Sequence, residues 1–271
     1  MKNFLVACSF LALISGNAVS SYAYMITDSF TAGIDPTAWT PSVNTPTSGP
    51  PATVVGTNNR VEVTLGGIDT SLGEPISAGG LSSNLNVTGN YMATVDFTLL
   101  NWDPILSRGI RVALVGSSIG GVERIGDPIS PWNGNSYVVD FREMGGTVGG
   151  ITPASTLSGS LMLVRTDDSI SGWYTDPTTN GNWVLISAQE NLYSGPSYPG
   201  FATWAATNDA IGRQIAFDNF TLTDDFTLPH PVTPVINPVP VPSTMLLMGS
   251  GLLGLVGIGR RRMKRRNPIF S

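Results

Sequence analysis

The chain has 271 residues, of which only 12% are charged, while 31 Gly and 20 Pro make up close to a fifth of it. A typical soluble domain is about a quarter charged, so coiled coils, helical bundles and long solvent-exposed helices are excluded. A hydrophobic share of 41% still supplies a core and excludes a wholly disordered chain.

The net charge of −5 is an average over unlike regions. All 19 acidic residues lie between Asp28 and Asp225, while the 14 basic residues divide into Lys2, six between Arg260 and Arg266, and seven Arg within the acidic stretch. The central region therefore carries seven Arg and no Lys against 19 carboxylates, which excludes a nucleic-acid partner, because phosphate binding needs clustered cations. The one cationic block follows an apolar stretch, and that combination points to a membrane.

In chain order, the first predicted element is a secretory signal peptide over residues 1–23. Lys2 precedes an apolar run from Phe4 to Ile14, and small residues at Ser21 and Ala23 suit cleavage after Ala23. Such a leader implies a signal peptidase and a Sec-type translocon as partners. Cys8, the only cysteine, lies within it. The mature chain then has no thiol, hence no disulfide and no cysteine metal site.

From 24 to 225 the hydrophobic period is two. Tyr91, Ala93, Val95, Phe97 and Leu99 alternate with Met92, Thr94, Asp96 and Thr98, predicting a half-buried strand over 91–99. Similar runs predict strands over 61–65, 110–115, 137–141, 161–165, 170–174, 183–187, 201–205 and 215–223, separated by Gly, Pro, Asn and Asp clusters. Turns at Asp167-Asp168 and at Asn180-Gly181 make two successive hairpins of 161–186, since Asn-Gly tolerates positive φ at both positions. Nine or more strands without helical periodicity argue for a single all-β antiparallel β-sandwich or barrel. The hairpin pair, Asp28-Ser29-Phe30 followed by Trp39, and the closing stretch Phe217 to Leu222 resemble concanavalin A-like jelly rolls, including laminin G-like modules and laminarinase-type glycoside hydrolases.

Residues 226–238 form a Pro-rich linker with Pro229, Pro231, Pro234 and Pro238, a composition that favours polyproline II at about 3.1 Å per residue. The last predicted region, 239–271, begins with Pro240, Val241, Pro242, Ser243 and Thr244. An uncharged stretch over 245–259 predicts a single transmembrane helix of about 22 Å, short for a bilayer core of about 30 Å. Arg260, Arg261, Arg262, Lys264, Arg265 and Arg266 follow as a membrane stop, which the positive-inside rule keeps in the cytoplasm. Together the three parts resemble the PEP-CTERM sorting signal, with Val241 where the usual Pro-Glu-Pro has its acid. The resemblance implies an inner-membrane precursor in a Gram-negative bacterium, cleavage near the Pro-x-Pro by an exosortase-like transpeptidase, and a mature form at the cell surface or in the extracellular matrix. Such proteins commonly accompany exopolysaccharide and biofilm production.

No catalytic residue is assigned. Laminarinase-type enzymes carry a Glu-x-Asp-x-x-Glu run that is missing, and retaining glycosidases need two carboxyls about 5 Å apart. Gly116-Ser117-Ser118-Ile119-Gly120 matches a nucleophile elbow, but the only histidine, His230, lies in the linker, so the motif reads as a turn. Oxygen ligands are abundant, and Asp28 with Asp218 are candidates for a structural Ca²⁺ by analogy with the jelly-roll enzymes. Trp102, Trp132, Tyr193, Tyr198 and Trp204 are candidate sugar-stacking residues, whereas Trp173 and Trp183 suit packing between strands. The sequence thus predicts an exported, non-enzymatic jelly roll that binds glycans or other matrix components. Its alternatives are a glycan-active enzyme with atypical residues and a structural surface protein.

Overall fold

The structure is a computed structural model, and it describes residues 25–71, 76–101, 110–116, 120–127, 134–141, 148–190 and 195–229. All of them fall in the first of two compact units, Met1–Val232 and Thr233–Ser271. The predicted leader, sorting motif, 245–259 helix and basic cluster lie outside the described residues. Among the described residues no helix is long and apolar enough to cross a membrane.

Fifteen strands are described: β1 Met25–Asp28, β2 Trp39–Val43, β3 Thr53–Thr57, β4 Arg60–Thr64, β5 Ser77–Ser83, β6 Tyr91–Leu99, β7 Ile110–Gly116, β8 Gly120–Asp127, β9 Gly134–Asp140, β10 Val148–Pro153, β11 Ser158–Arg165, β12 Ser169–Thr175, β13 Val184–Glu190, β14 Pro199–Ala205 and β15 Gln214–Thr223. They form two antiparallel sheets. Sheet A has the order β13-β12-β11-β6-β15-β4-β3, with β1 also paired to β15, and sheet B has the order β10-β9-β8-β7-β14-β5-β2. Each of the nine predicted strands coincides with one of these to within a few residues. Asn180 and Gly181 have φ of 53° and 77°, as the predicted turn requires.

The core lies between the sheets and follows from the period-two pattern. On β6 the five odd-numbered residues from Tyr91 to Leu99 are buried, while Met92, Thr94 and Asp96 are half-buried and Thr98 is exposed. The alternation on β15 is interrupted once. Asp218 pairs with Asp96 and Thr221 with Thr94, so β15 spends one extra residue there, with Asn219 at φ 48°. That bulge turns both Phe217 and Phe220 into the core and divides the strand's outer edge. Gln214 to Phe217 pair with β4, and Phe220 to Thr223 pair with β1.

Aromatic rings fill the middle. Phe201 lies 4.6 Å from Phe217 between ring centroids, and Trp39 meets Phe220 edge-on at 4.8 Å. Such pairs add about 0.5–1.5 kcal/mol beyond their burial. One end of each sheet is drawn together where β10 meets β13. A Cβ on Gly150, whose φ is 58°, would stand 2.1 Å from the Ile186 carbonyl, so only glycine permits that approach.

A second apolar cluster covers part of sheet A's outer face. Met162, Val164 and Trp173 are buried there, with Met92, Trp183, Leu185 and Phe226 packed against them. Trp173 and Trp183 therefore serve packing between strands, as expected. Phe226, which the sequence pattern assigns to the linker, folds back onto the sandwich.

Candidate ligand-binding face

The outer face of sheet B is built by register. Phe201, Leu81 and Val122 point into the core, so their neighbours on β14, β5 and β8 point outward. Hydrogen-bonded pairing then aligns Glu123, Ala113, Ala202, Gly80 and Ser42 in one row across β8, β7, β14, β5 and β2. In the next row on one side, Trp204 stands between Arg111 and Ala78. On the other side, Gly200 stands between Val115 and Ser82, which pairs with Thr40. The central row carries no side chain larger than serine from Ala202 through Gly80 to Ser42. At Gly80 the strands crowd one another, and a Cβ would fall 2.3 Å from the Phe201 carbonyl oxygen. Packing thus forbids a side chain where the row needs none, and the result is a bare track crossing the strands beside a half-buried indole.

Tyr198 and Trp204, two of the candidate stacking residues, share this face. Tyr198 immediately precedes β14, has the same parity as Trp204 and is 41% exposed. Six residues at about 3.3 Å each separate them by about 20 Å along the strand. Trp102, Trp132 and Tyr193 lie outside the described residues.

Beyond the end of the track, the β8–β9 register pairs Glu123 with Val138 and Gly121 with Asp140. Glu123 and Asp140 are therefore diagonal neighbours on one face, about 7–8 Å apart by backbone. Glu123 is 3% exposed and Asp140 is half-buried. Sequence spacing could not reveal this pair, which exists only through strand registration.

The candidate calcium residues are not brought together. Asp28 faces inward, where one carboxylate oxygen accepts the Phe30 N–H at 2.7 Å and the other accepts the Trp39 Nε1–H at 2.8 Å. Asp218 faces outward, ahead of the bulge, and accepts the Asn219 N–H at 2.7 Å. The two lie on opposite faces of sheet A and cannot share an ion, a correction to the jelly-roll analogy. Among the described residues no group of three or more His, Cys, Asp or Glu is placed to hold a metal. A cleft of about 260 Å³ opens beside β1 between Ile26, Ala38, Trp39 and Phe220. Its polar neighbour Asn84 already accepts from Thr40 and donates to the Pro36 and Thr37 carbonyls.

An unanticipated polar network lies in the interior. Arg124, 1% exposed, donates to the Ile125 carbonyl and to Asn135 and stands 5.7 Å from the Tyr137 ring centroid. The Tyr137 hydroxyl donates to Asp176 at 3.1 Å, and Thr156 donates to the same oxygen. Burial pushes the Tyr137 phenol up and the Arg124 guanidinium down. Burial also acts to raise Asp176, but hydrogen bonds from the Thr178 hydroxyl and N–H, with those from Tyr137 and Thr156, outweigh it and hold the carboxyl below its ordinary range. The network joins the sheets, with Tyr137 on β9 and Asp176 just after β12. In the sequence its only trace is an arginine inside an otherwise buried strand.

A family model for the PEP-CTERM protein-sorting motif matches residues 238–264. The chain carries a PEP-CTERM sorting motif. The match contains Pro240 to Thr244 and the cations Arg260, Arg261, Arg262 and Lys264; Arg265 and Arg266 lie just past it. The motif implies an exported, membrane-anchored precursor processed by an exosortase. Comparison with curated protein sequences gives no match. Among solved structures, the sandwich is similar to the lectin from Bauhinia forficata in complex with GalNAc, at 10% identity and TM-score 0.51, over 74% of this chain and 98% of that one. It is also similar to lectin I-B4 from Griffonia simplicifolia in its metal-free form, at 8% identity and TM-score 0.49, over 73% and 98%. A third is LamAcat from Zobellia galactanivorans, at 12% identity and TM-score 0.47, over 73% and 96%. The fold is a lectin-like, concanavalin A-like jelly roll, and at these identities the likeness concerns the fold alone.

Proposed function

We propose that the PEP-CTERM precursor is held with its basic cluster on the cytoplasmic side and is released to the surface or matrix by an exosortase-type transpeptidase. Its sandwich binds a neutral, extended glycan of that matrix across the outer face of sheet B. The observation that supports this most is the bare Ala202-Gly80-Ser42 track beside Trp204. A flat track lets a sugar chain lie close to the sheet, and an indole face offers a pyranose ring an apolar stacking surface. Acidic composition elsewhere favours a neutral polymer, because an anionic one is repelled at long range.

A glycan array probed with the sandwich, residues 24–229, tests this. Binding to neutral polysaccharides that falls on Trp204→Ala supports the reading, and a blank array sinks it in favour of a structural surface protein.

A second reading, a glycan-active enzyme, is favoured by the diagonal Glu123–Asp140 pair. Its backbone separation of about 7–8 Å is compatible with carboxyls placed at the roughly 6.5–9.5 Å that inverting glycosidases use. Release of reducing ends from a bound glycan, abolished by Glu123→Gln and by Asp140→Asn, would establish it. Binding without turnover would leave the lectin-like reading.

A further inference from the structure

The last of the described strands is the central tie of sheet A. β15 pairs with β6 on one edge and with β4 and then β1 on the other. Four of its side chains, Ile215, Phe217, Phe220 and Leu222, are fully buried in the core. Without residues 214–223, sheet A falls into two separate pieces, β13-β12-β11-β6 and β4-β3. β1 then has no partner among the described strands, because β15 is the only strand it pairs with. The wall of the central aromatic cluster is also missing, since Trp39 packs on Phe220 and Phe201 on Phe217.

Synthesis and export both proceed from the N-terminus, so residues 214–223 arrive after every other described strand. We infer that β15 is the closing strand of the exported chain: the sandwich stays open until it arrives, and leader cleavage takes place on the open form. The second half of this statement rests on the signal-peptide reading of residues 1–23. The scissile Ala23–Tyr24 bond lies one residue from Met25, where β1 begins. A peptidase needs its substrate locally unpaired and extended, and a strand in register with β15 would hold that segment in the sheet. β1 waits on a partner almost two hundred residues downstream, so its neighbourhood remains free for cleavage during export.

At the other end, Phe226 docks on the outer face of sheet A just after β15.

The test is complementation in trans. The chain ending at Arg213 is exported and compared with the full-length protein in its host and after purification. We expect the truncated chain to lose its leader at the rate of the full-length one, yet to be digested by proteinase K at least tenfold faster. A synthetic peptide of residues 214–229 should restore resistance and shift the tryptophan emission as Trp39 regains Phe220. The same peptide carrying Phe217→Asp and Phe220→Asp should not. Protease resistance of the truncated chain equal to the full-length protein's, or failure of the unmodified peptide to restore it, overturns the closing-strand role. Retention of the leader on the truncated chain overturns the order of events while leaving that role intact, and separates the two halves of the inference.

Discussion

The two outer faces of the sandwich share one backbone pattern and have opposite fates. On sheet A, the side away from the core is closed at one end by Trp173, Met162 and Val164 under Phe226, and is charged at the other, where Asp96 faces Asp218. On sheet B, the outer row from Ala202 to Ser42 carries almost no side chain, and Trp204 stays half-exposed beside it. A tryptophan on an outer face is therefore not diagnostic by itself. Trp173 has large neighbours on both adjacent strands, Met162 and Leu185, and its Nε1–H donates to Ser171 at 2.9 Å. Trp204 is paired with Ala78 and diagonal to Gly80, so nothing of comparable bulk rises on that side to cover it. Neighbour size thus decides how far an outward indole is covered by its own sheet.

The largest effect is expected on the sealed face. Trp173→Ala should cost about 3–4 kcal/mol of unfolding free energy, as truncation of a buried large aromatic does, with glycan affinity per folded molecule unchanged. Denaturant melts paired with binding isotherms measure both, and a loss of affinity in the folded variant would erase the distinction between the faces. Trp204→Ala should do the reverse, weakening glycan binding at least tenfold, about 1.4 kcal/mol, at a stability cost of about 1 kcal/mol. Phe226→Ala should lower stability by roughly 1–2 kcal/mol, since its ring is only partly buried. It should leave binding intact, which checks that the start of the linker belongs to sheet A's cover.

Between the faces, the Tyr137–Asp176 bond offers a pH handle common to both. Because folding holds the Asp176 carboxyl below its ordinary value, its contribution is fully present above about pH 4 and is lost as pH falls through the lower folded value. Asp176→Asn should therefore flatten the acid limb of the stability curve below about pH 4. A limb as steep as the parent's would assign acid sensitivity to other carboxylates.

The sandwich was legible where inward and outward side chains differ in kind, as on β6 and β15. β5, with the sequence SAGGLSS, and β2, with Pro41 in its middle, were not. Small residues face both ways on β5, so no alternation marks it as a strand, and those same small residues make the candidate track. The site was thus hidden by the property that would make it useful. Trp204 and Tyr198 were recognisable one at a time, but their common face follows from parity along β14. The Glu123–Asp140 pair follows from the register of two neighbouring strands. The Asp28–Asp218 pairing failed because a single extra residue at Asn219 reverses which side of the sheet the following residues face.

The smallest prediction concerns the charged end of sheet A. Asp96 and Asp218 are directly opposed on β6 and β15, an arrangement that costs stability when both are ionised. The repulsion is partly offset by donors to Asp96, the Ser160 hydroxyl at 2.5 Å and the Asn219 Nδ2 at 2.9 Å. Asp218→Asn removes one charge and keeps a carbonyl oxygen able to accept the Asn219 N–H, so the bulge retains its local bond. Thermal unfolding at low salt should show a gain of up to about 1 kcal/mol. Because both groups are partly exposed, that gain should shrink as ionic strength shortens the Debye length to about 3 Å near 1 M salt. Titration with millimolar Ca²⁺ sharpens the comparison further. If two carboxylates suffice to hold an ion on this face, Ca²⁺ should stabilise the parent more than the variant; equal response in both assigns the opposed charges to sheet A's acidic surface alone.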